Sequence, residues 1–319
     1  MGRILYVCPS VRQPRGGVRT IYHHVETLVA SGREAAVVHF APERPDWFAS
    51  SAPVIDGNTA LSLREDDTLV VPEDYPAALL ALRQVPLLKV VFCQNHYHVF
   101  EVLEPEAHYS DFGVTRVLAS SDIIATFCRD TFGLPTAVVP YALDLDRLAP
   151  APAQRLLQVA FMPRKGAWNL RIVRGLLHHQ HPELRDVPWV PIENKSEAET
   201  AAILQQSSVY VSTSHREGFG LPPLEAMACG AVVVGFTGGG GAAFARPDNG
   251  VWVPDENPLA LARAVAQTLT VLKRAPAELE PLRANAMAMA HTFTFARQAE
   301  ALRTCWGLNG HEQGAGAWR

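Results

Sequence analysis

Ser214-His215-Arg216-Glu217-Gly218-Phe219-Gly220-Leu221-Pro222-Pro223-Leu224-Glu225-Ala226-Met227-Ala228-Cys229-Gly230 stands between two apolar, β-branched runs, Val209–Ser212 and Ala231–Phe236. The order reads as strand, glycine loop, helix, glycine stop and strand, the repeating unit of a parallel sheet. Pro222 and Pro223 suit the first positions of a helix over Pro222–Cys229, where a missing N–H costs little, and Gly230 ends it. Gly218 and Gly220 leave the backbone free to approach a ligand. The start of the helix offers its dipole to a phosphate or a sugar oxygen. Glu217 on the loop and Glu225 in the first turn are eight positions apart, and carboxylates so placed suit the recognition of hydroxyls. An acidic helix start that only complements its own dipole accounts for the same residues.

Outward from this unit the alternation continues in both directions. Before it come strands at Ile4–Cys8, Ala36–Phe40, Thr68–Val71, Val90–Cys93, Ile123–Phe127 and Ala137–Pro140, with a helix around Thr20–Ala30 and a brief helical turn at Cys128–Phe132. Pro140 to Pro152 holds three prolines and no clear period, so it reads as a linker. The rhythm restarts with strand Leu156–Met162, helix Trp168–His178 and strand Trp189–Ile192. Ser196 and Glu199 have the spacing of a capping box, so a helix should begin there. Helices fill the rest, near Leu259–Lys273, Ala277–Ala290 and Phe295–Trp306. The fold class is therefore α/β, two Rossmann-like doubly wound domains over 1–145 and 146–292, followed by 293–319. In such sheets ligands bind at the carboxyl ends of the strands, and two halves predict a central cleft.

Composition agrees and excludes alternatives. The chain has 319 residues, 48% hydrophobic and 19% charged, with a formal net charge of -4. That material fills packed cores, and the acidic balance argues against a protein that coats nucleic acid. No apolar run reaches the ~20 residues of a membrane-spanning helix. The opening Arg3–Pro9 is too short for a cleavable leader. Cys8, Cys93, Cys128, Cys229 and Cys305 are scattered and apolar-flanked, as in a reducing compartment. The expectation is a cytoplasmic protein.

Four further segments carry polar chemistry. Arg164-Lys165-Gly166 follows strand Leu156–Met162, and two cations at a strand's carboxyl end suit a leaving diphosphate, as well as they suit a solvated turn. Gly16-Gly17 lies between the first strand and helix, where glycine permits positive φ and close approach. Arg12, Arg15 and Arg19 make that rim basic, which fits a phosphate-bearing acceptor, an anionic membrane surface or a plain solvated loop. His96 and, less strongly placed, His98 follow strand Val90–Cys93. Thr237-Gly238-Gly239-Gly240-Gly241 follows strand Ala231–Phe236 as a backbone-lined loop. The dinucleotide pattern Gly-x-Gly-x-x-Gly and the Walker loop are missing. His178-His179-His181 has no carboxylate or cysteine spaced with it for a metal, and His23-His24 reads as structural.

Glu217 to Gly230 resembles the Glu-x7-Glu signature of family-4-type GT-B glycosyltransferases, retaining enzymes that use nucleotide sugars. The resemblance implies that Glu217 contacts hydroxyls of the donor sugar and Glu225 the ribose, with Gly218, Phe219, Gly220 and Leu221 along the donor. Lys165 and Arg164 are similar to the family's cations on the diphosphate, although the Gly-Arg pair that usually precedes the lysine is absent. Gly16 and Gly17 resemble the family's loop facing the donor phosphates, and His96 stands near the place of a histidine at the reacting centre. Phe295–Trp306 looks like the closing helix that crosses back to the first domain. The implied reaction moves a sugar from a nucleotide-diphosphate sugar to a hydroxyl acceptor, a glycan, lipid-linked saccharide or small glycoside, upon domain closure. No metal and no other cofactor is expected. A non-catalytic glycosyltransferase-like partner subunit and another GT-B enzyme, such as a sugar-nucleotide epimerase, are the rival readings. A phosphorylase would need a PLP lysine context that is not seen.

Overall fold

Ile4–Cys8 (β1) is buried at every position, and its side chains alternate between two cores. Leu5 and Val7 pack on one face with Val99, Ile124 and Phe132, whereas Ile4, Tyr6 and Cys8 pack on the other with Ile21, Val25 and Leu302. A strand covered on both faces is the mark of a parallel sheet between helix layers. The computed structural model describes residues 2–9, 15–41, 44–59, 61–150, 155–309 and 318. The chain divides into two units, Met1–Ala142 with Phe295–Arg319, and Leu143–Thr294.

In the first unit β1 is followed by α1 (Gly16–Ala30), β2 (Ala35–His39), β3 (Val54–Asp56), β4 (Thr68–Pro72), α2 (Pro76–Ala81), β5 (Leu88–Cys93), α3 (His96–Val102), β6 (Val114–Ala119), α4 (Asp122–Phe132) and β7 (Thr136–Val138). All seven strands are parallel in the order β3-β2-β1-β4-β5-β6-β7, so the direction of winding reverses between β1 and β4. The segment Ile123–Phe127, expected as a strand, is helical. Ser121 caps it by accepting from the Ile124 amide, Asp122 complements the dipole, and Gly133 ends it in the left-handed region. The strand is Val114–Ala119, which the reading passed over. α1 also begins earlier than expected, at Gly16, so Gly16 and Gly17 are its first two residues and not a positive-φ turn.

The second unit runs β8 (Leu156–Phe161), α5 (Ala167–Gln180), β9 (Trp189–Pro191), α6 (Glu197–Gln206), β10 (Ser207–Ser212), α7 (Leu221–Ala228), β11 (Val232–Gly235), β12 (Val251–Trp252), α8 (Pro258–Arg274) and α9 (Glu280–Ala290). Its parallel sheet has the order β12-β11-β10-β8-β9, reversing between β8 and β10. The Ser196–Glu199 capping box is present. Val159, Val209, Val211, Val232 and Val234 pack under α5 and α8. The last helix, α10 (Phe295–Cys305), lies in the first unit against α1, where buried Gln298 donates to the Pro140 carbonyl over 2.8 Å.

Candidate active site

The reversal between β8 and β10 places two loops side by side at the strands' carboxyl ends, the position where open α/β sheets take ligands. Gly166 has φ +80°, and a Cβ there would meet the Thr213 carbonyl oxygen at 2.0 Å. Only glycine lets the two loops close to this distance, and the Thr213 hydroxyl then donates to the Lys165 carbonyl. The result is an ion pair between Lys165 Nζ and Glu217 Oε1, with side chains 25% and 12% exposed. A third loop joins them after β11. The Glu217 amide donates to the Gly238 carbonyl over 2.8 Å, and the Gly240 amide donates to the Glu217 carbonyl over 2.9 Å. A Cβ on Gly240 would lie 2.2 Å from the Gly218 carbonyl carbon, so backbone packs on backbone. Asp255 orders that loop by accepting from the amides of Thr237 and Gly238 over 2.9 and 3.2 Å.

The helix after Glu217 differs from its reading. α7 starts at Leu221 with Gly220 as N-cap at φ +91°, so Pro222 and Pro223 occupy the second and third helical positions and Glu225 the second turn. Of the first three helical residues only Leu221 therefore offers an N–H. The Phe219 ring is buried against Phe244 and Phe293, with centroids 5.5 and 5.4 Å away. Phe219 thus serves as the anchor of the loop, and only its backbone is left to meet a ligand.

In the first unit the reversal between β1 and β4 is likewise furnished. Arg15, the extended N-cap of α1, approaches Asp74 at 3.9 Å. Gln94, directly after β5, donates from Nε2 to the Gly17 carbonyl over 3.3 Å and accepts from the Tyr141 hydroxyl over 3.2 Å. A Cβ on Gly17 would fall 3.0 Å from that side-chain amide, so the glycine is required for close approach even though its φ is ordinary. Asn95 caps α3, accepting from the Tyr97 amide, and its own amide donates to Glu73 Oε1 over 2.7 Å. Glu73 is 4% exposed and its Oε2 is buried without a partner among the described residues. Burial first, and Asp74 second, push its carboxyl up to about 8, so it carries its proton at neutral pH. His96 is half-buried beside Tyr97 and Phe127, its Nδ1 equally unpartnered, and burial lowers its pKa so that the ring is neutral.

Residues 191–275, which hold Glu217, Glu225 and the glycine loops, match the family description Glycosyl transferases group 1. An alpha-1,6-glucosyltransferase of Actinobacillus pleuropneumoniae serotype 7 (strain AP76) is 25% identical over 243 residues, 73% of this chain and 72% of that protein. Sucrose-phosphate synthase from Thermosynechococcus elongatus superposes with a TM-score of 0.70 at 15% identity, over 96% of this chain and 98% of its own. HepE from Anabaena, solved with UDP-glucose, gives 0.66 at 13% identity, over 96% and 99%. The chain is a glycosyltransferase of the GT-B fold.

Within this glycosyltransferase the structure brings Lys165, Glu217, Gly218 and Gly220 together, with Leu221 and Glu225 following on α7. Arg164 is exposed and has no ion-pair partner among the described residues. Gln94, not His96, touches the Gly16-Gly17 end of α1. Arg12 lies outside the described residues. Four residues that sequence reasoning missed shape these sites: Thr213, Asp255, Gln94 and Glu73. Gln94 had a signal, since it directly follows a β-branched strand, but the histidine two places on drew the reading. No group of three or more His, Cys, Asp or Glu among the described residues could hold a metal. None of the described helices is long and apolar enough to cross a membrane.

Proposed function

We propose that this glycosyltransferase moves a sugar from a nucleoside-diphosphate sugar to a hydroxyl acceptor with retention of anomeric configuration and without a metal. The observation that carries the reading is the Lys165–Glu217 pair at the reversal point of the second sheet, walled by the backbones of Gly218 and Gly240. In the free enzyme Glu217 neutralises Lys165. An arriving diphosphate takes over the ammonium and releases the carboxylate oxygens to accept from sugar hydroxyls, while Glu225 reads the ribose and Arg164 adds charge at the rim. As the bond from the anomeric carbon to the diphosphate breaks, its electron pair moves to the phosphate oxygen, where Lys165 stabilises it. The acceptor oxygen bonds to the same face of that carbon, and its proton passes to the departing phosphate oxygen.

The first unit takes the acceptor, and from it the Gly16-Gly17 end of α1 serves the donor phosphates and His96 the reacting centre. The match to the group 1 family and the UDP-glucose bound in the similar HepE support the donor class. The five free, buried cysteines support work in a reducing compartment. Calorimetry with UDP and GDP, followed by transfer from the matching hexose donor in the presence of EDTA and NMR of the product's anomeric proton, tests every part. Nucleotide binding with transfer, EDTA resistance and a retained anomer are expected. Binding without any turnover of donor would instead make the chain a non-catalytic partner subunit.

A further inference from the structure

Several arginines of this protein are neutralised. Arg3 pairs with Asp67, Arg64 with Glu34, Arg147 with Asp144 and Glu197, Arg283 with Glu280, and Arg303 with Glu300. Arg171, Arg174 and Arg185 have no carboxylate partner among the described residues, and what sets them apart is that all three line one cavity of about 480 Å³ beside α5 and β9. That volume lies within the ~300–1,000 Å³ of ordinary small-molecule sites. Arg171, Arg174 and His178 are spaced by three and four residues, so α5 presents them as one stripe. Arg185 faces them from the loop before β9, its Nε donating to the His178 carbonyl over 2.8 Å, a bond that leaves the guanidinium's terminal nitrogens for another acceptor. Trp189, the first residue of β9, lies below Arg174, whose guanidinium carbon is 5.9 Å from the ring centroid.

No acidic residue lines the cavity among the described residues. Glu183, the carboxylate nearest in sequence to Arg185 on its N-terminal side, is engaged by His181 at 3.2 Å. Nor does α5 contain a single Asp or Glu in its fourteen residues, although the whole chain is net acidic at -4. Were these arginines present for helix stability, acidic residues four positions away would be the expected companions. The cavity begins at Pro163 and Ala167, next to the Lys165 loop, but its cations sit farther along the helix, with His178 some ~16 Å beyond Ala167 at 1.5 Å per residue.

We propose that this groove is a second anion site of the protein, binding a phosphate ester whose sugar- or glycerol-sized body rests against Trp189. Three guanidinium groups lining one groove without carboxylates can supply the forked donors that phosphate oxygens accept from, and Trp189 suits a ring or a carbon chain beside them. The phosphate comes either on a soluble sugar phosphate or on a lipid headgroup, and the chemistry of the contact is the same.

The test is calorimetry of the full chain with glucose 6-phosphate and with glucose at constant ionic strength, paired with sedimentation on phosphatidylglycerol vesicles and on phosphatidylcholine vesicles. We expect saturable binding of glucose 6-phosphate but not of glucose, or of the anionic vesicles but not the neutral ones. The first result assigns a soluble ligand and the second a headgroup. Either should weaken at least tenfold in Arg171→Gln/Arg174→Gln and in Arg185→Gln, which change exposed side chains on two different elements. It should be unchanged in Lys165→Ala, and UDP affinity should be unchanged in the arginine variants. Absence of binding to both probes overturns the proposal, as does binding that survives the arginine substitutions. Loss of binding in Lys165→Ala would also overturn it, because the phosphate would then be occupying the Lys165–Glu217 site.

Discussion

At the reversal point of the second sheet the central charges are engaged: Lys165 holds Glu217, and Asp255 holds the amides of the glycine loop. At that of the first sheet a partly exposed Arg15–Asp74 pair stands beside buried polar atoms that are uncharged and incompletely satisfied. Glu73 Oε2 and His96 Nδ1 are buried without partners among the described residues, and burial keeps the carboxyl protonated and the imidazole neutral. A buried group without a hydrogen bond costs about 1–3 kcal/mol, a cost that Glu73 and His96 carry at the first sheet's reversal point. The difference separates two kinds of readiness. The second site holds a charge pair that an anion can exchange, and the first holds buried neutral donors and acceptors suited to hydroxyl groups.

The largest effect that would break this contrast lies in the second unit. Lys165→Ala and Glu217→Ala should each lower turnover at least ~100-fold, the scale of losing one electrostatic stabiliser. The double variant should be hardly worse than either alone, because the partners share one interaction. Steady-state rates with the donor identified by calorimetry check this, and rates within a few-fold of the parent would remove the pair from the site. Next comes Gly166→Ala, which forces a side chain into φ +80° and against the Thr213 carbonyl. It should destabilise the protein by more than ~2 kcal/mol, read as a lowered denaturation midpoint, and should reduce donor affinity along with it.

Glu73 provides a sharper and smaller test in the first unit. The folded protein keeps this proton up to about pH 8, whereas an ordinary glutamate loses it near 4.5. Its contribution to stability is therefore complete below the lower value and is lost as pH rises toward the upper one. Glu73→Gln cannot ionise and should flatten that fall. The variant should gain on the parent in urea midpoint between pH 5 and pH 8, and an identical slope in the two proteins would contradict the assignment. The smallest effect is expected for Asn95→Ala, which removes the cap of α3 and should cost about 1 kcal/mol. A thermal melt reads that loss, and activity should fall less than in either Lys165 or Glu217 variant.

The glycosyltransferase fold was legible because its signals are local. Burial of every residue in β1 and β2 follows from short β-branched runs, and the Ser196–Glu199 box marks its helix within four residues. Where apolar content alone was used, the reading failed: Ile123–Phe127 has the composition of a strand, but Ser121 and Gly133 frame a helix around it. The candidate site was legible at Glu217 and Lys165 through a motif, and illegible at Gln94, Thr213, Asp255 and Glu73. Nothing near those four announces a partner that is 77, 48, 18 or 22 positions away.

What the residues determined by themselves is the alternation of strands and helices, the placement of glycine where backbones must touch, and the charge type of each loop, since each depends on neighbours a few positions apart. Tertiary structure alone decided that Lys165 meets Glu217 while Arg164 stands aside, that Gln94 rather than His96 reaches α1, and that Glu73 is neutral. Those outcomes depend on which strand ends the winding brings together and on how much water is excluded there, and neither quantity is a property of a short stretch of chain.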